Sequence, residues 1–162
     1  MSDPRRVLFV CMGNICRSPA AEGVLRQMVA ERGLDGAVEV DSAGTIAYHQ
    51  GEPPDSRMRQ AAASRGYTLE GASRPVEASD FRRFDLIVAM DRDNLRDLEA
   101  MAGGGNSRLR LFSRYLPEES PIDVPDPYYG GPTGFDRVLD LIERGCPALL
   151  EALCTGARAR ED

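Results

Sequence analysis

Cys11, Arg17 and Ser18 fall within one short stretch, Cys-Met-Gly-Asn-Ile-Cys-Arg-Ser-Pro, and Asp126 stands far downstream between two prolines. These are the residue types that could handle a phosphoryl group without a metal. A guanidinium grips two oxygens of one phosphoryl group, which a point-charge ammonium cannot do. Gly13 and Asn14 tolerate left-handed backbone angles, so the loop can curl until the N–H groups of Met12, Gly13, Asn14, Ile15 and Cys16 point inward as an anion nest. Cys11 then lies beneath the phosphorus. A thiol beside an arginine and at a helix amino terminus is expected to be a thiolate at neutral pH, and so a nucleophile that needs no histidine. Ser18 has two open roles: N-cap with Pro19 at the first helical position, or donor to the Cys11 sulfur. Cysteine followed six positions later by arginine is by itself a weak signal, since four cysteines and 20 arginines give roughly half a chance match. The context carries the reading.

That context is a strand before the loop and a helix after it. Val7–Val10 is a short apolar run suited to burial on both faces, and Ala20, Ala21, Val24, Leu25, Met28 and Val29 recur at helical spacing up to Gly33. The loop therefore sits at a strand's carboxyl end, where open α/β sheets bind ligands and a helix terminus favours an anion. A second strand is expected at Val38–Val40, leading into Asp41–Thr45. A helix is expected over 55–64, capped by Asp55 or Ser56, and a third strand over 84–90. Asp91 could cap the helix from Arg92 to Met101 or orient Arg17, with capping the simpler reading. A fourth strand is expected at Leu109–Phe112.

The segment from Leu116 to Pro132 holds five prolines and carries Asp123, Asp126, Tyr128 and Tyr129. Prolines on both sides of Asp126 stiffen the backbone that presents it. An ordinary turn aspartate and a general acid are both open, and the paired loop at Cys11 favours the acid. A last helix is expected from Thr133, with Asp136 in capping-box spacing, through Leu153, kinked or broken near Gly145 by Pro147. His49, the single histidine, reads as a surface loop residue.

Composition bounds the class. A chain of 162 residues is one domain of ordinary size, expected as residues 1–156 with 157–162 a frayed tail. No 18-residue apolar run spans a membrane, and residues 1–6 lack the apolar core of a secretory signal, so a cytoplasmic location is expected. The net charge of −6 argues against nucleic acid. All 20 basic residues are arginine, which excludes a Walker-type lysine loop and Schiff-base chemistry. One histidine and four scattered cysteines imply no metal site. Strands alternating with helices predict a doubly wound parallel α/β sheet with helices on both faces.

CMGNICRSP, VDSAGT at 40–45, AMDRDN at 89–94 and DPYYGG at 126–131 together resemble the low-molecular-weight protein tyrosine phosphatases, with similarity over nearly the whole chain. The resemblance implies strand order 2-1-3-4. It implies hydrolysis of protein phosphotyrosine through a phosphocysteine on Cys11, with Asp126 as acid and base, inorganic phosphate as product, and neither cofactor nor metal. It makes Tyr48, with Tyr128, an aromatic contact for the phenyl ring, and Asn14 the partner of Ser42, whose alternative is a turn serine capping its own backbone. Ala72 stands where the family has a histidine, which puts the support of the loop in question. Cys16 is either a redox guard that traps oxidised Cys11 as a disulfide or packing behind the loop. A monomer is expected. Related chemistries are thiol-dependent arsenate reduction, disfavoured by the lack of cysteines between Cys16 and Cys146, and phosphoarginine hydrolysis, disfavoured by Ile15 in place of threonine. A catalytically silent phospho-ligand module is the reading from another class.

Overall fold

A computed structural model describes residues 4–104, 106–128 and 131–161, apart from the side chains of 132 and 156–161. Four parallel strands form one sheet in the order β2-β1-β3-β4: β1 (Arg5–Cys11), β2 (Val38–Gly44), β3 (Leu86–Ala89) and β4 (Leu109–Leu111). Alternation along β1 divides the interior into two cores. Val7, Phe9 and Cys11 point to one face, covered by α1 (Arg17–Glu31), α2 (Ser56–Ala63) and α5 (Pro132–Glu161). Leu8 and Val10 point to the other, covered by α3 (Asp80–Arg83) and α4 (Arg92–Met101). Helices therefore lie on both faces of the doubly wound sheet, as expected.

The differences from the sequence reading are local and have causes. β2 runs on through Asp41–Gly44, because these residues pair in register with β1 as far as Cys11↔Gly44. Pairing overrides the polar, glycine-containing composition. Phe112 leaves β4 for a 3₁₀ turn, η1 (Phe112–Tyr115). Helix α1 starts at Arg17 with Cys16 at its N-cap position and no side-chain cap, so Ser18 is not the cap and Pro19 is not the first helical residue. Helix α5 begins at Pro132 and does not break near Gly145. An interior proline costs about 3 kcal/mol, but Cys146, Leu149, Leu150 and Leu153 beyond Gly145 are all buried, each large apolar side chain contributing about 1.5–3 kcal/mol. Gly145 itself answers to packing, since a Cβ there would stand 2.6 Å from the Phe112 ring. No helix among the described residues is long and apolar enough to cross a membrane. Tyr129 and Gly130 lie outside the described residues, as do the side chains of the expected frayed tail.

Candidate active site

The loop after β1 is held open from outside. Four of its carbonyls accept bonds from the surrounding frame: Cys11 O from Thr45 N at 3.0 Å, Met12 O from Ile46 N at 3.1 Å, Gly13 O from Ser73 Oγ at 2.9 Å, and Ile15 O from Asp55 N at 2.8 Å. A trans peptide directs its N–H opposite to its C=O, so carbonyls committed outward turn the N–H groups of Met12, Gly13, Asn14 and Cys16 toward the centre. Asn14 takes the left-handed turn at φ 58°, whereas Gly13 does not. Glycine at 13 leaves room for His49: a Cβ there would lie 2.9 Å from Cδ2 of the ring, which would have to shift.

Asn14 is the hub that fixes this shape. Its Nδ2 donates to Ser18 Oγ at 2.9 Å and Ser42 Oγ at 3.0 Å, and its Oδ1 accepts from Arg74 N at 3.0 Å. Ser42 donates onward to Glu22 Oε1 at 2.6 Å. Ser18 Oγ sits 3.0 Å from Cys11 Sγ, so of its two roles the contact with sulfur is realised. The segment carrying Ala72 still supports the loop, through Ser73 Oγ and the Arg74 main chain.

Arg17 is almost fully buried. Its Nη1 donates to Asp91 Oδ2 at 2.6 Å and to the Val124 carbonyl at 3.0 Å, and its Nη2 lies 3.5 Å from Asp126 Oδ2. Burial alone would lower its pKa, but Cys11, the hydrogen bond to Asp91 and the charge of Asp126 more than offset this, and the net shift is upward. Asp91 meanwhile accepts Asn94 N on Oδ1 at 2.7 Å, so one carboxylate caps α4 and orients Arg17 together. Asp126 is partly exposed, its Oδ1 accepting from Tyr128 N at 3.0 Å.

These residues surround a cavity of about 500 Å³ lined by Cys11, Met12, Gly13, Ile15, Cys16, Arg17, Ile46, Tyr48, His49, Asp126 and Tyr128. Every expected loop residue except the two hydrogen-bonding ones, Asn14 and Ser18, faces it. His49 corrects the reading as a mere surface residue: it lies against Gly13 and shares the cavity with Cys11. Arg57 was not anticipated either. Its guanidinium pairs with Asp55 at 2.9 Å and lies 5.3 Å from the Tyr128 ring centroid, bracing that wall. Glu22 was hidden by its helix, although a carboxylate beside Ala20, Ala21 and Leu25 on a buried face is a signal in itself.

The family model described as low molecular weight phosphotyrosine protein phosphatase matches residues 6–159. The low molecular weight protein-tyrosine-phosphatase of Streptomyces coelicolor is 45% identical over 152 residues, covering 91% of this chain and 93% of that one. The crystal structure of a protein tyrosine phosphatase from Entamoeba histolytica with Hepes in the active site superposes with TM-score 0.89 at 43% identity, covering 94% of this chain and 98% of that one. A Drosophila arginine phosphatase structure gives TM-score 0.83 at 35% identity, covering 90% and 95%.

Proposed function

The chain belongs to the low-molecular-weight phosphotyrosine protein phosphatase family, and on that premise we propose that it hydrolyses protein phosphotyrosine and small aryl phosphates through a phosphocysteine on Cys11. The observation that carries this reading is Cys11 Sγ, beneath a loop with its amides turned inward, sharing a cavity with Arg17 and Asp126. The thiolate attacks phosphorus while the loop N–H groups hold the equatorial oxygens. With Nη1 of Arg17 committed to Asp91 and Val124, the Nε–Nη2 edge is the fork that meets the anion. Asp126 gives its proton to the departing phenolate as the P–O bond breaks. The resulting carboxylate then takes a proton from water, whose oxygen attacks phosphorus, and the Cys11 thiolate leaves with inorganic phosphate as product. Ser18 Oγ, 3.0 Å away, stabilises the sulfur as it departs.

Tyr48 and Tyr128 offer walls for an aryl ring. Likeness to the arginine phosphatase structure keeps phosphoarginine as the second reading. Turnover of para-nitrophenyl phosphate and of phosphotyrosine and phosphoarginine peptides, with and without Cys11→Ser, decides the matter. Expected are turnover of the aryl esters, little of phosphoarginine, and none by Cys11→Ser, which still binds inorganic phosphate. Retained turnover in that variant removes Cys11 as nucleophile.

Cys16 is proposed as the redox guard of Cys11. Both are free and buried, and burial foremost, then the charge of Asp55, pushes the Cys16 thiol well above the ordinary range. It stays protonated, so peroxide meets Cys11 first and the sulfenic acid formed there condenses with Cys16 to a disulfide and water. Dithiothreitol is expected to restore peroxide-treated parent protein but not Cys16→Ser. Equal recovery of both would reduce Cys16 to packing. The protein is proposed to act as a cytoplasmic monomer on phosphotyrosine-containing proteins.

A further inference from the structure

Among the described residues lining the cavity, His49 is the one titratable side chain given no role above. Its side chain is only 14% exposed, although Tyr48 beside it is 81% exposed. The Tyr48 ring meets it edge-on, with centroids 4.8 Å apart at 80°, and the Tyr128 ring approaches from the opposite loop at 6.0 Å. Nδ1 lies 3.2 Å from Glu52 Oε1. The other edge of the ring is turned to the phosphate loop: a Cβ on Gly13 would be 2.9 Å from Cδ2 and 3.7 Å from Nε2. Gly13 thus admits the imidazole to the wall of the cavity that holds Cys11 and Arg17.

With Nδ1–H donated to Glu52, the neutral ring presents a lone pair at Nε2. Protonation converts that edge into a donor and adds a positive charge. We propose that His49 is a substrate-binding residue whose imidazolium form strengthens the hold on the phosphoryl dianion, so that affinity for phosphorylated substrates falls as pH rises through the histidine's titration. The proposal rests on the phosphatase reading. Glu52, Tyr48 and Tyr128 stand against the ring, and the other charged and titratable groups lining the cavity are Asp126 from the acid loop and Cys11, Cys16 and Arg17 from the phosphate loop. A dianion arriving on the loop brings two negative charges to the cavity that the ring faces. Proton and phosphate must then bind with mutual, reciprocal preference.

A chain with one histidine allows a direct test. Its imidazole resonance, followed by NMR in the full-length folded protein, is titrated with and without saturating inorganic phosphate. Phosphate is expected to move the midpoint to higher pH, by a coupling of about fivefold, the effect of a unit charge pair roughly 4 Å apart in water. In parallel, KM for a phosphotyrosine peptide is measured across the histidine range in the parent, His49→Gln and His49→Arg. The second ionisation of phosphate and the titration of Asp126 are common to all three, so differences between them report residue 49. KM of the parent should rise about fivefold more than that of His49→Gln, while KM of His49→Arg, lower than that of His49→Gln, should rise no more than it does. A midpoint indifferent to bound phosphate, or superimposable KM profiles for parent and His49→Gln, overturns the proposal and leaves the phosphatase reading standing. Absence of phosphate binding and of aryl phosphate turnover in the parent would sink both.

Discussion

Asp126 and Asp91 are both carboxylates beside Arg17, and their surroundings give them different work. Asp126 is partly exposed, faces the cavity and meets Arg17 only at 3.5 Å, which suits a group that exchanges a proton with a substrate. Asp126→Asn is expected to slow hydrolysis of phosphotyrosine by about 10²–10⁴-fold, and to slow esters of strongly acidic phenols far less, since their leaving groups need no proton. Steady-state kcat for the two substrate types measures this. Equal losses would make Asp126 a structural residue. Cys16, buried like Cys11 and lining the same cavity, is held as a thiol by burial and by the charge of Asp55.

At the scale of elements, the start of α4 shows how one side chain couples two of them. Asp91 Oδ1 caps the helix through Asn94 N, and Oδ2 holds Arg17 from α1. Asp91→Asn retains an oxygen for the cap but sets a neutral amide against the guanidinium, whereas Asp91→Ala loses both. The alanine variant should be less stable than the asparagine variant by about 0.5–2 kcal/mol, the worth of an N-cap. Both should lose kcat/KM, and thermal melts alongside kinetics separate the two effects. If the asparagine variant keeps full activity, Arg17 is oriented by the loop and Val124 alone. The acid loop is tied to the same helix: Arg92 N and its guanidinium bond Asp123 at 2.9–3.3 Å, two residues before the proline that precedes Asp126. The turn after α2 is likewise joined to α5 by Arg65, which reaches Asp140 and Glu143, and by Tyr67, which donates to Glu143 at 2.5 Å.

Across the whole molecule, the cost of building the loop's support appears at Glu22. Burial, the largest influence, raises its pKa, and only partial compensation comes from the Ser42 hydroxyl and from Arg26 at 2.7 Å. The folded protein therefore binds this proton more tightly than the unfolded chain does. Stability from this group is full below the carboxyl's ordinary unfolded pKa of about 4.3 and declines as pH rises through the raised folded value. Glu22→Gln keeps an acceptor for Ser42 and removes the buried charge. It should raise Tm at neutral pH relative to the parent, with the gain shrinking toward zero near pH 4, as thermal melts across that range would reveal. A loss at neutral pH would mean that the pair with Arg26 outweighs desolvation, and a gain independent of pH would mean that it does not come from the buried charge.

The residues of the candidate site and the architecture were legible in residue types and periodicity because both are local properties of the chain. Cys11, Arg17, Ser18 and Pro19 lie within nine positions, and the loop's anion-binding character follows from its place between a buried strand and a helix, whatever packs around it. The alternation of apolar strands and amphipathic helices likewise selects a parallel sheet, while the order 2-1-3-4 came with the family resemblance and not from spacing. What tertiary structure alone decided is who holds the loop. Ser73 and Arg74 stand 60 positions from the loop groups they bond, and His49 meets Gly13 from the loop that follows β2. The choice for Ser18 between helix cap and sulfur partner, and for Asp91 between cap and guanidinium partner, depended on distances set by sheet register. Pro147 remained inside α5 for the same reason: the burial of Leu149, Leu150 and Leu153 against the sheet outweighs a backbone preference that sequence reads one residue at a time.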